Sequence, residues 1–330
     1  MAVNAATSTT YGMVGIREDL SDMIYDISPT ETPVFSAIKK GKAATQRKIE
    51  WQKDSLAAAG VNAIIEGDDA AYNTAAATVR LHNQCQSFDK AIIVSDIANE
   101  VSAAGRKQEM AYQLAKRSKE IKRDIEFTVC GNYASLAGST LSASTMGSIE
   151  AWLETNVSRG TGGASGGFTS TTGPVEAATD ASSTNQRTFT EARLKAVIKS
   201  CWDNGGDPTM VVVGSFNKQA ASAFAGIATK YQDLNPGGGK RDSSGVAILG
   251  AADVYVSDFG THRIVANRFS RARSALVLDL EYWSIHYLQP FHTLNLARTG
   301  TAEKKQLVTT LTLCSKNEGA SGVVADLTTA

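Results

Sequence analysis

Reactive side chains are few and scattered in this chain. Its four histidines, His82, His262, His286 and His292, stand apart. None has the H-E-x-x-H or H-x-H spacing that places two imidazoles on one metal. Each reads as an ordinary strand residue. The one G-x-S-x-G match, Gly163-Ala164-Ser165-Gly166-Gly167, lies within a glycine-rich loop rather than on a strand-to-helix turn, so it reads as no nucleophile elbow. The four cysteines, Cys85, Cys130, Cys201 and Cys314, lack C-x-x-C spacing. They read as free, small hydrophobes of a reducing compartment. Glu66, Asp68 and Asp69 form an acidic cluster, but an EF-hand loop wants Gly at its sixth position and Glu at its twelfth. A solvated loop tip is the simpler reading.

Two glycine-rich stretches invite comparison with phosphate cradles. They are SRGTGGASGG, which opens a Ser/Thr-rich run to Arg187, and NPGGGKRDSSG. A P-loop needs G-K-[ST] opening a helix, and a dinucleotide fold needs G-x-G-x-x-G directly after a strand. Neither is met, so both stretches read as flexible surface loops. No constellation points to an enzyme, a cofactor or a metal.

Composition narrows the class further. The chain has 330 residues, with 33 Lys plus Arg against 33 Asp plus Glu. A dedicated nucleic-acid binder normally carries a basic excess, which this chain lacks. Low net charge suits self-association instead. The start MAVNAATSTTYG has no charged n-region or apolar h-region, so no signal peptide is expected. No run of about 18 apolar residues exists, so no membrane span is expected either.

The elements that must position any site are legible in outline. In REDLSDMIYDI, Leu20, Met23, Ile24 and Ile27 recur at helical spacing. Ser28-Pro29-Thr30 and Thr32-Pro33 then break the pattern, because Pro fixes φ and restricts the residue before it. In QRKIEWQKD, Ile49 and Trp51 alternate with Lys48, Glu50 and Gln52. On the return, Val79, Leu81, Asn83 and Cys85 oppose Arg80, His82, Gln84 and Gln86. A long, weakly patterned tip joins the two. Such a hairpin is marginal alone and needs a neighbour to lie on.

From Ala98 to Ala134 a proline-free pattern predicts one uninterrupted helix. Its length would be about 55 Å, more than the roughly 50 Å diameter of a compact globule of this chain. Met110, Leu114, Ile121, Ile125 and Val129 make a narrow apolar stripe. Arg106, Lys107, Lys116, Arg117, Lys119, Lys122 and Arg123 dominate elsewhere. Lys116 with Glu120, and Lys122 with Glu126, are four-residue pairs. A solvated face accounts for these charges; a platform for a neighbour's arm accounts also for the surplus length.

MGSIEAWLETNVS predicts a short helix or turn with Ile149, Trp152 and Leu153 on one side. A second unit begins near Thr188. Thr190 is a candidate N-cap for EARLKAVIKSCWDNGG, which Gly205 and Gly206 end. TMVVVGSF predicts a buried strand and NKQAASAFAG a helix. DVYVSDFG, THRIVANR, ALVLDLEYWSIHYL, HTLNLAR and KKQLVTTLTLCSK read as strands. The order is that of an α+β chain.

Taken in sequence, GIREDLSDMIYDISPTETPVFSAI, IEWQKD, EGDDA, RLHNQCQSFDKAIIVSDIANEVSAAGRKQEMAYQLAKRSKEIKRDIEFTVCGN and MGSIEAWLETNV resemble the major capsid (major head) proteins of tailed bacteriophages. The branch is the one with a short N-arm and no fused scaffolding domain. The resemblance is dense over the first half and looser beyond it, through strand order and the GGDPTMVVVGS turn. It implies the Johnson fold, the Hong Kong phage capsid architecture. That fold would comprise an N-arm at 1–45 and an extended β-hairpin E-loop at 46–95. A peripheral domain with spine helix and Gly/Ser-rich loop would follow at 96–187, an axial domain at 188–281, and returning peripheral strands at 282–330. The implied function is self-assembly into hexamers and pentamers of an icosahedral shell around double-stranded DNA. Implied partners are other copies of the chain, portal, scaffolding and decoration proteins, and DNA contacted non-specifically, in a virion assembled in the host cytoplasm. An encapsulin-like cargo shell and a phage tail or decoration protein are the alternatives. Neutral charge predicts containment of DNA rather than a tight grip.

Assembly would work because each subunit offers an arm that cannot cover its own apolar residues. Ile49 and Trp51 would anchor the root of the hairpin, and Leu56, Ile64 and Ile65 its tip. Phe35 would anchor the N-arm, while Arg106, Lys116, Arg117 and Arg123 would line the receiving helix. A compact chain of this mass exposes roughly 13,000 Å²; reaching arms predict clearly more. Some members of this fold join subunits through Lys–Asn isopeptide bonds. Lys53 near the arm and Asn317 near the last strands have the residue types, and nothing in their pattern singles them out.

Overall fold

The computed structural model describes residues 28–69, 77–101, 108–169, 175–224 and 254–329. The expected helix at 17–27, Arg106 and the loop at 235–245 lie outside these residues. Pro33–Ala37 forms a short helix, α1. Thr32-Pro33 therefore starts a helix instead of only breaking one, since Pro at the first helical position has no donor to waste. Lys39–Lys40 (β1), Lys48–Lys53 (β2), Val79–Gln84 (β3) and Gln86–Ser95 (β4) follow. Then come Asp96–Glu100 (α2) and Glu109–Val129 (α3).

The single long helix is thus corrected to two. Val101 and Gln108 are both extended, with ψ of 131° and 126°. The physical reason is burial: the apolar stripe begins only at Met110, so the turns before it have no face to bury. Of the predicted stripe, Met110, Ile121, Ile125 and Val129 are buried, and Leu114 packs against them. The 21 residues of α3 span about 31 Å.

Ile149–Trp152 (α4), Asn156–Ser158 (β5), Gly167–Phe168 (β6) and Val175–Glu176 (β7) complete the first half. The second unit opens with Glu191–Asp203 (α5), Met210–Val213 (β8) and Ser215–Ser222 (α6). Thr190 holds the N-cap position of α5 but makes no side-chain cap bond. Gly205 terminates that helix at φ +81°, a conformation glycine adopts without steric cost. Val254–Ser257 (β9), Gly260–Ala266 (β10), Ala275–Leu278 (β11), Trp283–Leu296 (β12), Ala302–Ser315 (β13) and Gly322–Val324 (β14) finish the chain.

Two sheets organise the molecule. One has the order β1-β12-β13-β4, the other β5-β14-β11-β8-β10-β9. The predicted strand ALVLDLEYWSIHYL divides between them. Asp279 accepts the backbone N–H of Glu281 at 3.1 Å and turns the chain there, so β11 lies in the second sheet and β12 in the first. HTLNLAR is no separate strand; it continues β12 across register shifts at Tyr287/Gln289 and Gln289/His292. Helix α3 packs on β4 and β13 in one core, and α5 covers the second sheet in another.

The Ser/Thr-rich stretch is held rather than loose. Asp326 accepts N–H groups from Gly160 at 2.9 Å and Ala181 at 2.8 Å. Arg187 donates to Ser158 O at 2.6 Å and Ala325 O at 3.0 Å. Two distant chain segments thereby satisfy backbone groups that a surface loop would leave to water; residues 170–174 lie outside the description.

Candidate assembly interface

The arm is an antiparallel pair, β2 with β3, in register from Lys48↔Gln84 to Lys53↔Val79. Its root is tied to its own subunit. Trp51 donates its indole N–H to Ser315 O at 2.9 Å, and its ring lies 5.4 Å from that of Trp152. Ile49 is half-buried. Fully buried Asn83 contributes most: Nδ2 donates to Leu313 O at 2.7 Å and Gly147 O at 3.3 Å, while Oδ1 accepts from Gly147 N at 2.8 Å. Such a satisfied polar hub fixes one orientation, because any rotation strands buried groups.

Beyond Lys53 the chain leaves the body. Every residue from Asp54 to Asp69 is exposed, including Leu56 at 99%, Val61 at 99%, Ile64 at 87% and Ile65 at 77%. A contiguous set of bare aliphatics is a hallmark of a contact surface. The outer half of the β12–β13 hairpin also projects, with Leu294 and Leu296 exposed.

The N-arm root is pinned by a carboxylate. Glu126, on α3, is fully buried. Its Oε2 accepts the Phe35 N–H at 2.7 Å, and its Oε1 accepts the Val34 N–H at 3.0 Å and Asn267 Nδ2 at 2.6 Å. Burial raises its pKa against the pull of these donors. The expected surface pair with Lys122 therefore does not form, because Glu126 points to the core side of the helix. Glu120 likewise meets Arg117, at 2.6 Å, rather than Lys116. Arg123 sits over the Phe269 ring at 5.1 Å, Lys116 is exposed, and Phe35 packs against the core.

A second charged junction joins the two halves. Glu150 is fully buried between Arg159 Nη2 at 3.1 Å, Arg271 Nη1 at 2.8 Å and Ser274 Oγ at 2.8 Å. Arg271 also pairs with Asp180, and Arg273 reaches Asp180 at 3.5 Å. Neither Asn83, Glu126 nor Glu150 was singled out by sequence as a site. The one available signal was a polar residue on an otherwise apolar face, as at Asn83 between Leu81 and Cys85.

Catalytic chemistry finds little footing. Burial pushes the Cys85 and Cys314 thiols up to about 11 and Cys201 up to about 12. Ser257 Oγ and His262 Nε2 lie 2.6 Å apart, but the other ring nitrogen faces the Pro208 carbonyl at 2.5 Å rather than a carboxylate. His262 is fully buried, and the pair locks the β9–β10 turn onto the strand beside it. Glu66, Asp68 and Asp69 are exposed. Among the described residues no group of three His, Cys, Asp or Glu side chains is placed to hold a metal, and no helix is long and apolar enough to cross a membrane.

Comparison with known proteins decides between architectures of this kind. The family model of the SU10 major capsid protein matches residues 4–328. The chain belongs to this family. A curated relative, the major capsid protein of Escherichia phage Phieco32, is 28% identical over 97% of both chains. Among solved structures, the cyanophage A-1(L) capsid asymmetric unit superposes with a TM-score of 0.63 at 12% identity, covering 96% of this chain and 98% of that one. The holo-SrpI encapsulin complex of Synechococcus elongatus PCC 7942 gives 0.54 at 9% identity, covering 96% of this chain and 93% of that one. Fold alone is thus shared with an encapsulin. Family membership makes this chain a phage capsid protein, a structural component of the virion rather than an enzyme.

Proposed function

We propose that this capsid protein closes into hexamers and pentamers of an icosahedral shell that encloses double-stranded DNA. The observation that carries this reading is the arm: its root is bonded to its own sheet while its tip exposes four aliphatic side chains. Covering each would contribute about 1.5–3 kcal/mol, and a second molecule offers cover that the described residues of the chain itself do not. Head-to-tail contacts of this type close into rings when the rotation permits. The 46–95 arm acts as the E-loop, 1–45 as the N-arm, and 96–187 with 282–330 as the peripheral domain around α3. Residues 188–281 form the axial domain. Leu56, Ile64 and Ile65 meet a neighbour directly, with Lys116, Arg117 and Arg123 on the receiving side. Trp51, Ile49 and Phe35 support the interface by fixing arm direction. Portal, scaffolding and decoration proteins complete the particle, which assembles in the host cytoplasm.

Deleting residues 55–75 is expected to leave a soluble, folded subunit that forms no shells. Electron micrographs of that variant showing ordinary particles would sink the proposal. Nuclease-protected DNA inside wild-type particles separates a genome container from a cargo shell.

A further inference from the structure

Zero net charge hides a sharp local segregation. Residues 39–48, KKGKAATQRK, hold five cations and no acid, whereas residues 54–69, DSLAAAGVNAIIEGDD, hold four acids and no cation. Lys48 is neutralised by Glu50 at 2.6 Å. Lys39, Lys40, Lys42 and Arg47 have no carboxylate partner among the described residues.

The basic segment borders a groove of about 590 Å³. Residues 39–44 run along β12: Lys39 and Lys40 pair with Ser284 and Ile285, and Ala44 donates to Tyr287 O at 2.8 Å. Beyond Tyr287 the register shifts. Such irregularities re-aim side chains, and here Leu288, Pro290 and Phe291 line the groove together with Phe35. Lys40 and Lys122 stand on its rim, and no acidic residue lines it.

We infer that this groove receives the acidic tip of a neighbouring copy, with Ile64 and Ile65 against the apolar wall and Glu66, Asp68 and Asp69 near Lys40 and Lys122. The inference rests on the shell-building reading above and names the surface that completes it. Two complementarities coincide, since bare aliphatics meet an apolar wall and unpaired acids meet unpaired lysines. A nucleic-acid backbone would satisfy the lysines but leave the apolar wall in water, so the tip is the better occupant. Opposed charges at the rim also set partner orientation, because like charges brought together there are strongly repelled.

Charge reversal tests the pairing in the full chain. Lys40→Glu with Lys122→Glu, and separately Glu66→Lys with Asp68→Lys, are each expected to cut the fraction of subunits in shells about tenfold. Combining the four changes is expected to restore it. Loss in both single sets without restoration overturns the pairing, as does wild-type yield in either set. Normal shells that lose only their DNA make nucleic acid the occupant and overturn it too. If wild-type protein forms no shells at all, the shell-building reading itself fails, a distinct result. All four variant positions are exposed, and a second measurement does not depend on charge. Ile65→Cys with Ala43→Cys, oxidised in wild-type-like shells, is expected to give a ladder of disulfide-linked subunits on a non-reducing gel. Absence of the ladder rejects the groove as the docking site.

Discussion

Replacing Glu126 tests whether a buried carboxylate on α3 holds the N-arm root. Three donors converge on it: the Val34 and Phe35 N–H groups and Asn267 Nδ2. Glutamine keeps one acceptor oxygen but turns an NH2 group toward the Phe35 N–H. One buried donor then loses its partner, at about 1–3 kcal/mol. Alanine strands all three and opens a small void, so about 3–5 kcal/mol is expected after partial rehydration. For a chain of 330 residues, the unfolding entropy is about 0.7 kcal/mol per degree, so each kcal/mol lowers Tm by about 1.4 °C. Calorimetry of dissociated subunits should therefore show losses of about 1–4 °C for Glu126→Gln and about 4–7 °C for Glu126→Ala.

The same residue has a pH signature. Its folded pKa is raised by burial, so within the window above the ordinary glutamate value the native state binds more protons than the unfolded chain. Stability then falls as pH rises through that window and is flat above it. The wild type should carry this component and Glu126→Gln should lack it. A glutamine variant as stable as wild type, or an alanine variant no worse than glutamine, would refute the latch; so would an identical pH dependence in wild type and glutamine variant.

Other consequences are equally direct. Glu150→Gln removes the counter-charge of buried Arg159 and one of the two carboxylates on Arg271, which keeps Asp180; a loss of about 3–5 kcal/mol in chemical denaturation is expected, and a loss under 1 kcal/mol would count against a buried junction. Asn83→Ala removes the hub at the arm root and should cost about 1–3 kcal/mol while speeding proteolysis between residues 54 and 69; unchanged cleavage would show that the arm is oriented by other contacts. All four cysteines are free and buried, with raised pKa values, so alkylation at pH 8 should be slow until denaturant is added. Rapid modification of any one in the native subunit would contradict the packing.

Much of this architecture can be read in one dimension because it is periodic. Alternation along QRKIEWQKD and VRLHNQ places Leu81 and Asn83 on the inner face of the arm, and the apolar stripe from Met110 to Val129 marks the buried side of α3. The segment order carried the resemblance to phage capsid proteins that implied a shell-building subunit; that Leu56, Val61, Ile64 and Ile65 stand bare is visible only in the structure. Other features depend on residues far apart in sequence. The break between α2 and α3 reflects where a packing partner begins, which local propensity does not encode. Glu126 looks like half of a surface ion pair until α1 and Asn267 arrive 92 and 141 residues away. The serine- and glycine-rich run around Gly160 becomes ordered only because Asp326 returns to accept its N–H groups. Local patterning determines which face of each element is apolar; three-dimensional closure decides which polar groups meet, since a buried donor or acceptor finds its partner through space rather than along the chain.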